Sequence, residues 1–194
     1  YYTGTTDCTR TYAMGTLTDW QKTCYTAVLR GNLHLAAAVF RAGCTGLNLD
    51  CLARQPLWDL GLDFNHGTGH GVGYLLSVHE GPQSIRWRSL GKEPALAPGM
   101  ITSDEPGVYF DGDFGIRLEN LVLCIEKSQT NFGTFLGFET LTLTPFDRDA
   151  MDPTQMTPQE KALLNAYHAR VHAAIAPHLP PEESAWLAQA TRPI

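Results

Sequence analysis

The sequence predicts an α/β (α+β) domain, and three features carry that expectation. Thr18-Asp19-Trp20-Gln21 and Thr157-Pro158-Gln159-Glu160 each have the form of a helix capping box. Between them lie short runs rich in β-branched and aromatic residues, separated by Gly, Pro and Asp-Gly, which is the signature of strands and turns. Residues 65–82 set three histidines, His66, His70 and His79, among five glycines. Glycine costs about 1 kcal/mol relative to alanine at each helical position, so this stretch is a loop rather than a helix.

At 194 residues, 43% apolar and 18% charged, the chain can build one sizeable core. No repeat, low-complexity tract or linker divides it. One domain over residues 1–194 is expected, with a helical tail from about residue 146. The net charge of −6, with acidic and basic residues interspersed, offers no basic stripe for a phosphate backbone, so nucleic acid is excluded as a partner. The longest apolar runs, such as residues 33–40, are too short to span a bilayer, and no membrane association is expected. Five cysteines without CxxC spacing fit neither a disulfide framework nor a thiolate zinc site. They read as small buried hydrophobes of a cytoplasmic protein. Tyr1-Tyr2-Thr3-Gly4 has no initiating Met and no signal-peptide character, so the chain is expected to start inside a longer protein.

In chain order, the alternation of Thr9, Thr11 and Ala13 against Arg10, Tyr12 and Met14 predicts a short strand. The first capping box opens a helix to about Ala42, possible to break at Gly31 and stopped by Gly43. A second helix follows Asn48 and includes Leu49, Leu52, Ala53, Leu57 and Trp58, with Pro56 kinking or limiting it. Both are amphipathic and should cover one face of a sheet. The glycine-rich loop then enters a strand over residues 72–78, closed by Gly81-Pro82. Residues 83–98 form a polar connection, and Pro98-Gly99 leads into a strand ending at Glu105-Pro106. Residues 108–110 and 116–125 pair as a hairpin across Asp111-Gly112-Asp113, with Glu119 facing the Glu105 region. A last strand spans residues 134–143, with a bulge near Glu139 and Thr140 where the alternation changes phase. The second capping box opens a helix to about Ile175, stopped by Pro177. A short helix after Pro181 has Trp186 and Leu187 on one side.

Several chemistries are absent. The glycines at 67, 69, 71 and 73 do not form G-x-G-x-x-G, and no Gly-Lys-Ser/Thr follows them, so nucleotide phosphates are not the ligand. His66 and His70 are four apart without the glutamate of H-E-x-x-H, and no G-x-S-x-G elbow is present. What remains is a set of hard oxygen ligands with one imidazole: Asp7, His70, Glu105 and Glu119. That mixture suits Mn, Zn, Co or Fe(II), and carboxylates of this kind can bridge two ions. Singly, each residue also has a structural reading: Asp7 as a turn cap, His70 as a hydrogen-bonded core histidine, Glu119 as a partner of Arg117.

Read together, the blocks Gly4-Thr5-Thr6-Asp7-x-Thr9-Arg10-Thr11, His66-Gly67-Thr68-Gly69-His70-Gly71-Val72-Gly73, Val78-His79-Glu80-Gly81-Pro82, Ser103-Asp104-Glu105-Pro106-Gly107 and Gly115-Ile116-Arg117-Leu118-Glu119-Asn120 resemble the signature blocks of aminopeptidase P, the Xaa-Pro aminopeptidases of the pita-bread metallopeptidases. The resemblance extends through Phe138-Glu139-Thr140-Leu141-Thr142 and Asn165-x-Tyr167-His168 to Trp186-Leu187. It implies a pita-bread fold, truncated at its N-terminus. It also implies release of the N-terminal residue from peptides with proline in second position, by a hydroxide bridging two divalent metal ions, Mn first, with Zn or Co as alternatives. Asp7 and Glu119 would bridge the metals, His70 and Glu105 would complete one shell, and Glu105 would also shuttle a proton. His66 and His79 would line the substrate site, His79 stabilising the tetrahedral intermediate. Arg117 would orient carboxylates, with Tyr109 as a further candidate. The family is often homodimeric.

This sequence departs from the pattern in two places. A further chelating Asp is expected a few residues before the Gly4 block and is not in this chain, which implies that the chain alone is inactive or nearly so. Thr3 stands where the pattern usually has Asp. The alternatives are a prolidase acting on Xaa-Pro dipeptides and a non-catalytic pita-bread module that binds peptides.

Overall fold

The computed structural model describes residues 2–89 and 91–194. Tyr1, at the start of the first predicted segment, and Leu90, in the predicted connection, lie outside the described residues. Helix α1 (Asp19–Ala36) opens at its capping box: the Gln21 N–H donates to Thr18 Oγ1 at 3.2 Å and the Thr18 N–H donates to Gln21 Oε1 at 2.9 Å. It ends six residues short of the expected Ala42, because Val39–Arg41 form strand β1 instead. The Phe40 ring packs against Phe138 at 5.2 Å between centroids, and sheet pairing of a β-branched and aromatic run overrides the helical spacing. Gly31 does not break α1. It is the point at which helix α2 (Gly46–Trp58) crosses, where any Cβ would overlap the Ala53 carbonyl oxygen. The second helix starts earlier than predicted, and Pro56 sits in its last turn and ends it two residues later.

The strands are β2 (Gly69–His70), β3 (Ser84–Ile85), β4 (Ile101–Asp104), β5 (Gly107–Tyr109), β6 (Gly115–Arg117), β7 (Asn120–Thr130) and β8 (Gly133–Thr140). They form one antiparallel sheet in the order β1-β8-β7-β4 and two ribbons, β2-β3 and β5-β6. Four expectations are corrected here. Residues 9–14 are not a strand: they run along the β6–β7 junction through the Glu119 N–H to Thr9 carbonyl bond at 3.0 Å and the Thr11 hydroxyl, which takes the Arg117 N–H at 3.1 Å, so side-chain bonds replace a ladder. Residues 72–78 are not a strand either; Gly71 bridges to Thr102, and the Gly73 N–H then turns back onto the Ser77 carbonyl at 2.8 Å. The β5-β6 hairpin turns through Asp111-Gly112 as predicted, but its second strand stops at Arg117 and the chain switches sheets before β7. The bulge lies in β7 between Glu126 and Ser128, whereas the phase change near residue 140 marks the end of β8.

Two apolar clusters hold these layers. One joins α1 to β5, β6, residues 146–156 and helix α3 (Pro158–Ile175); the other joins α2 and the end of α1 to the four-stranded sheet. The expected cover of helices on the sheet is present in the second cluster. The capping box of α3 is formed, with the Thr157 N–H donating to Glu160 Oε2 at 2.6 Å. In the last helix, α4 (Pro181–Ala190), Leu187 is buried while Trp186 is 59% exposed, so the two do not share a side; adjacent helical residues point about 100° apart. Of the five cysteines, all free, Cys24 and Cys124 are buried as expected, but Cys8 and Cys51 are exposed.

Candidate metal centre

Four separate segments bring the predicted ligands to one place. Asp7 lies on the N-terminal segment, His70 ends β2, Glu105 follows β4, and Glu119 occupies the junction from β6 to β7. The sheet register sets the last two: Asp104 pairs with Asn120, so Glu105 and Glu119 leave the β4-β7 ladder side by side. Gly69 lets β2 lie against β4, since a Cβ there would overlap the Ser103 carbonyl oxygen. Ligand atoms of Asp7, His70 and Glu119 all come within 4.8 Å of one another. Glu105 joins through His70, with Oε1 at 3.2 Å from the imidazole Nε2, while Asp7 Oδ2 lies 3.4 Å from the same nitrogen.

The local hydrogen bonds orient these groups. His70 Nδ1 donates to the Gly71 carbonyl at 3.0 Å, which commits that nitrogen to its proton and directs Nε2 at the carboxylates. The His70 backbone N–H donates to Ser103 Oγ at 3.0 Å, and that hydroxyl donates onward to Glu105 Oε1 at 2.9 Å. Glu119 is 2% exposed; Oε2 accepts from the Thr9 hydroxyl at 2.5 Å, and Oε1 is buried with no hydrogen-bond partner among the described residues.

The electrostatics follow from this crowding. Burial, with Glu105 and Asp7 adding to it, pushes the Glu119 carboxyl up to about 7 against the opposing pull of Thr9 and Arg117. Burial acts in the same direction on Glu105, but the bonds from His70 and Ser103 outweigh it and hold Glu105 below the usual range. For His70 burial favours the neutral ring, yet Glu105, the Gly71 carbonyl and Asp7 together raise it. Asp104, fully buried beside Glu105 and Glu119, is pushed well up by burial first and by those two charges second. Three carboxylates and an imidazole converge with an orphaned buried oxygen among them. A divalent cation fits that charge and donor set: Asp7, His70, Glu105 and Glu119 would hold it.

The remaining predicted residues divide into two groups. His79 stacks edge-on against His70, ring centroids 4.2 Å apart, and lines a cavity of about 280 Å³ with His70, Pro82 and Arg86. His66 is elsewhere: its Nε2 meets the Tyr109 hydroxyl at 2.9 Å, and Arg117 Nη1 donates to the same hydroxyl at 3.4 Å. Arg117 Nε also donates to Thr9 Oγ1 at 3.3 Å, which couples this trio to Glu119. A larger cavity, about 600 Å³, is bounded by Asp7, Val72, Ile101, Leu121 and Leu141, so it adjoins the centre on its apolar side.

Sequence reasoning missed several supports. Arg10 donates to the Glu119 carbonyl at 2.6 Å and to Asn120 Oδ1 at 2.6 Å, and stacks 4.2 Å above the Phe146 ring. Arg54, fully buried, pairs with Asp50 at 2.6 Å and donates to the His66 carbonyl at 2.8 Å, anchoring the start of the histidine loop. Arg10, Thr9 and Ser103 stand inside the quoted motif blocks, which was the available signal; Arg54 had none.

Comparison with known proteins agrees with this geometry. The model of metallopeptidase family M24 matches residues 1–126, and that of the C-terminal region of peptidase M24 matches residues 134–194. The chain belongs to metallopeptidase family M24. Among its M24 relatives, a protein named "Probable Xaa-Pro aminopeptidase P" from Colletotrichum graminicola is 48% identical over 100% of this chain and 32% of its own length. One of the same name from Fusarium vanettenii is 52% identical over 88% of this chain and 28% of its own length. The chain therefore spans about a third of the length of the curated relatives it matches. A solved M24 structure, X-prolyl aminopeptidase from Caenorhabditis elegans, described as a cytosolic enzyme with a di-nuclear active site, superposes with a TM-score of 0.91 at 41% identity, over 98% of this chain and 32% of that one. The prolidase from Pyrococcus furiosus superposes with a TM-score of 0.58 at 33% identity, over 71% of this chain and 36% of that one. The fold is the pita-bread fold of these M24 proteins.

Proposed function

We propose that this chain carries Asp7, His70, Glu105 and Glu119 as metal ligands of an Xaa-Pro aminopeptidase, which releases the N-terminal residue from peptides with proline in second position. The observation that carries the proposal is the convergence of those four side chains around an unpartnered buried oxygen of Glu119. The names of the relatives, and the coverage of the whole chain by the Caenorhabditis elegans enzyme, supply the substrate class. Two divalent ions, Mn first with Zn or Co as alternatives, would supply Lewis acidity and lower the pKa of water to near 7. Asp7, Glu105 and Glu119 would each offer two carboxylate oxygens to the ions and His70 one nitrogen lone pair. A cytosolic location is supported by the five free cysteines and by the cytosolic relative.

The protein's own residues would act as follows. Glu105 Oε1 is held by Ser103 and His70, so its other oxygen takes the proton of the attacking water and delivers it to the proline nitrogen as the peptide bond breaks. His79, against the His70 ring, donates toward the oxygen on which negative charge develops. Tyr109, held between His66 and Arg117, positions the substrate. The test is made on the full-length protein containing this chain, reconstituted with Mn, Zn or Co. It should release the first residue from Xaa-Pro-Yaa tripeptides; turnover confined to Xaa-Pro dipeptides would reassign it as a prolidase, and failure to bind any of the three metals would remove the enzyme reading. His70→Ala should lower both metal affinity and turnover by more than about 100-fold, since it deletes a ligand rather than a support, for which the loss is typically 10–100-fold.

A further inference from the structure

We infer that Asn32 is a positioning residue for the metal centre, a single buried amide on α1 that sets the spacing of the two strand ends from which Glu105 and Glu119 project. Asn32 is 1% exposed, and its helix neighbours Val28, Leu29, Leu33 and Leu35 are buried aliphatics. Its Nδ2 donates to the Asp104 carbonyl at 2.9 Å and reaches the Leu118 carbonyl at 3.4 Å. These are the residues immediately before Glu105 and Glu119.

The place of the bridge in the fold gives it a task. The register of β4 on β7 ends with Asp104 opposite Asn120; beyond that pair β4 leads away to β5, and β7 is reached from β6. The β5-β6 ribbon resumes the pairing with Gly107 opposite Arg117, and the Leu118 N–H reaches the Pro106 carbonyl at 3.3 Å; in the short interval between the two ladders the Asn32 amide ties the Asp104 and Leu118 carbonyls to α1. The helix that carries it is itself located by Gly31, whose lack of a side chain lets α1 rest on the Ala53 carbonyl. A packing role alone would be filled by leucine without burying an amide. Asn32 Oδ1 has no hydrogen-bond partner among the described residues, so the amide is present for its donors and carries the desolvation cost of its acceptor. Supports of this kind orient ligands without touching the ion. The inference rests on the proposed ligand set.

The experiment uses the full-length protein. Asn32→Leu removes the donors at nearly constant volume; Val28→Ala, at a fully buried site one turn earlier on α1, controls for general weakening of the helix. Mn affinity is measured by calorimetry where circular dichroism shows each variant folded, and metal-free crystal structures of wild type and Asn32→Leu are compared. Asn32→Leu should weaken Mn binding about 10-fold or more and displace the Glu105 and Glu119 carboxylates relative to each other. Val28→Ala should lower the melting temperature and leave Mn affinity within about twofold, as expected for a site with no shared partner. Should Asn32→Leu fail to fold, Asn32→Ala, which also removes both donors, takes its place with the same expectations. Wild-type affinity with superimposable carboxylates overturns the inference. A wild-type protein that binds no metal overturns the ligand assignment instead, and the metal-free crystals then decide the role of Asn32 by themselves: displaced strand ends support it and coincident ones overturn it.

Discussion

Glu119 shows how one residue can oppose stability and serve chemistry. It is buried, shares its surroundings with Glu105 and Asp7, and takes one hydrogen bond from Thr9. Its carboxyl rises from 4.5 to about 7, so the folded metal-free protein binds more protons than the unfolded chain between those values, and stability falls as pH rises through that window. In metal-free protein at pH 8, Glu119→Gln should therefore raise unfolding free energy, by up to about 3 kcal/mol for a shift of this size. The same variant should lose metal binding. Denaturant melts with and without Mn check both halves, and a destabilised metal-free variant would contradict the assignment. The four proposed ligands were legible as candidates in the sequence because their types are chemically restrictive and their motif blocks are long. Arg10 was marked only by its motif block, and Arg54 and Asn32 not at all, since much of their bonding is to backbone carbonyls of distant residues, and a carbonyl leaves no trace in a sequence.

The elements were legible where local chemistry decides them and illegible where pairing does. Both capping boxes started helices at the expected residues, and the Asp111-Gly112 turn made its hairpin. β1 was hidden because Val39–Arg41 continue a helical spacing and become a strand by meeting β8. Residues 72–78 failed as a strand because two residues of β2 and the bridge at Gly71 use the available edge of β4. That short strand has a mechanical role, as it seats His70 on Ser103 through a contact that admits no side chain at Gly69. Gly69→Ala should push β2 from β4 and shift His70 from the carboxylates, weakening Mn affinity by about 10-fold or more, as loss of an outer support does. Calorimetry measures this, and wild-type affinity in Gly69→Ala would contradict the role of the close approach.

For the whole molecule, acid should act from the helical side rather than from the sheet. His168, fully buried, accepts the Phe146 N–H on Nε2 at 3.1 Å; burial, then Arg148 and Arg10, push it down to about 4. Its contribution is present above the unfolded value of 6.5 and is lost as pH falls toward 4. Glu160 on α3 meets Arg30 at 2.8 Å and His34 at 2.7 Å on α1, and despite the cost of burial its bonds to Arg30 and Thr157 hold it near 2. That second contribution is lost below about 4.5. Because Glu119 acts in the opposite sense between about 4.5 and 7 in metal-free protein, the profile is read in Glu119→Gln, where melting temperature should fall in two successive pH ranges. His168→Gln, which keeps an acceptor but does not titrate, should flatten the upper range and leave the lower one; an unchanged profile would exclude His168 as its cause.

The distances along the chain between the ligands have a topological consequence. Asp7, His70 and Glu119 are separated by long stretches of chain, so an ion shared among them would act as a non-covalent crosslink, restricting the unfolded ensemble as well as balancing the carboxylate charge. The segment around Asp7 forms no ladder among the described residues; beyond the bonds of Thr9, Arg10 and Thr11 to residues 117–120, little holds residues 4–8. It should open first when the crosslink is withdrawn. Amide hydrogen exchange of residues 4–11 should speed up on adding a chelator, while the interior of β7 stays protected until global unfolding. Metal occupancy would then govern how firmly residues 4–11 are held against β6 and β7.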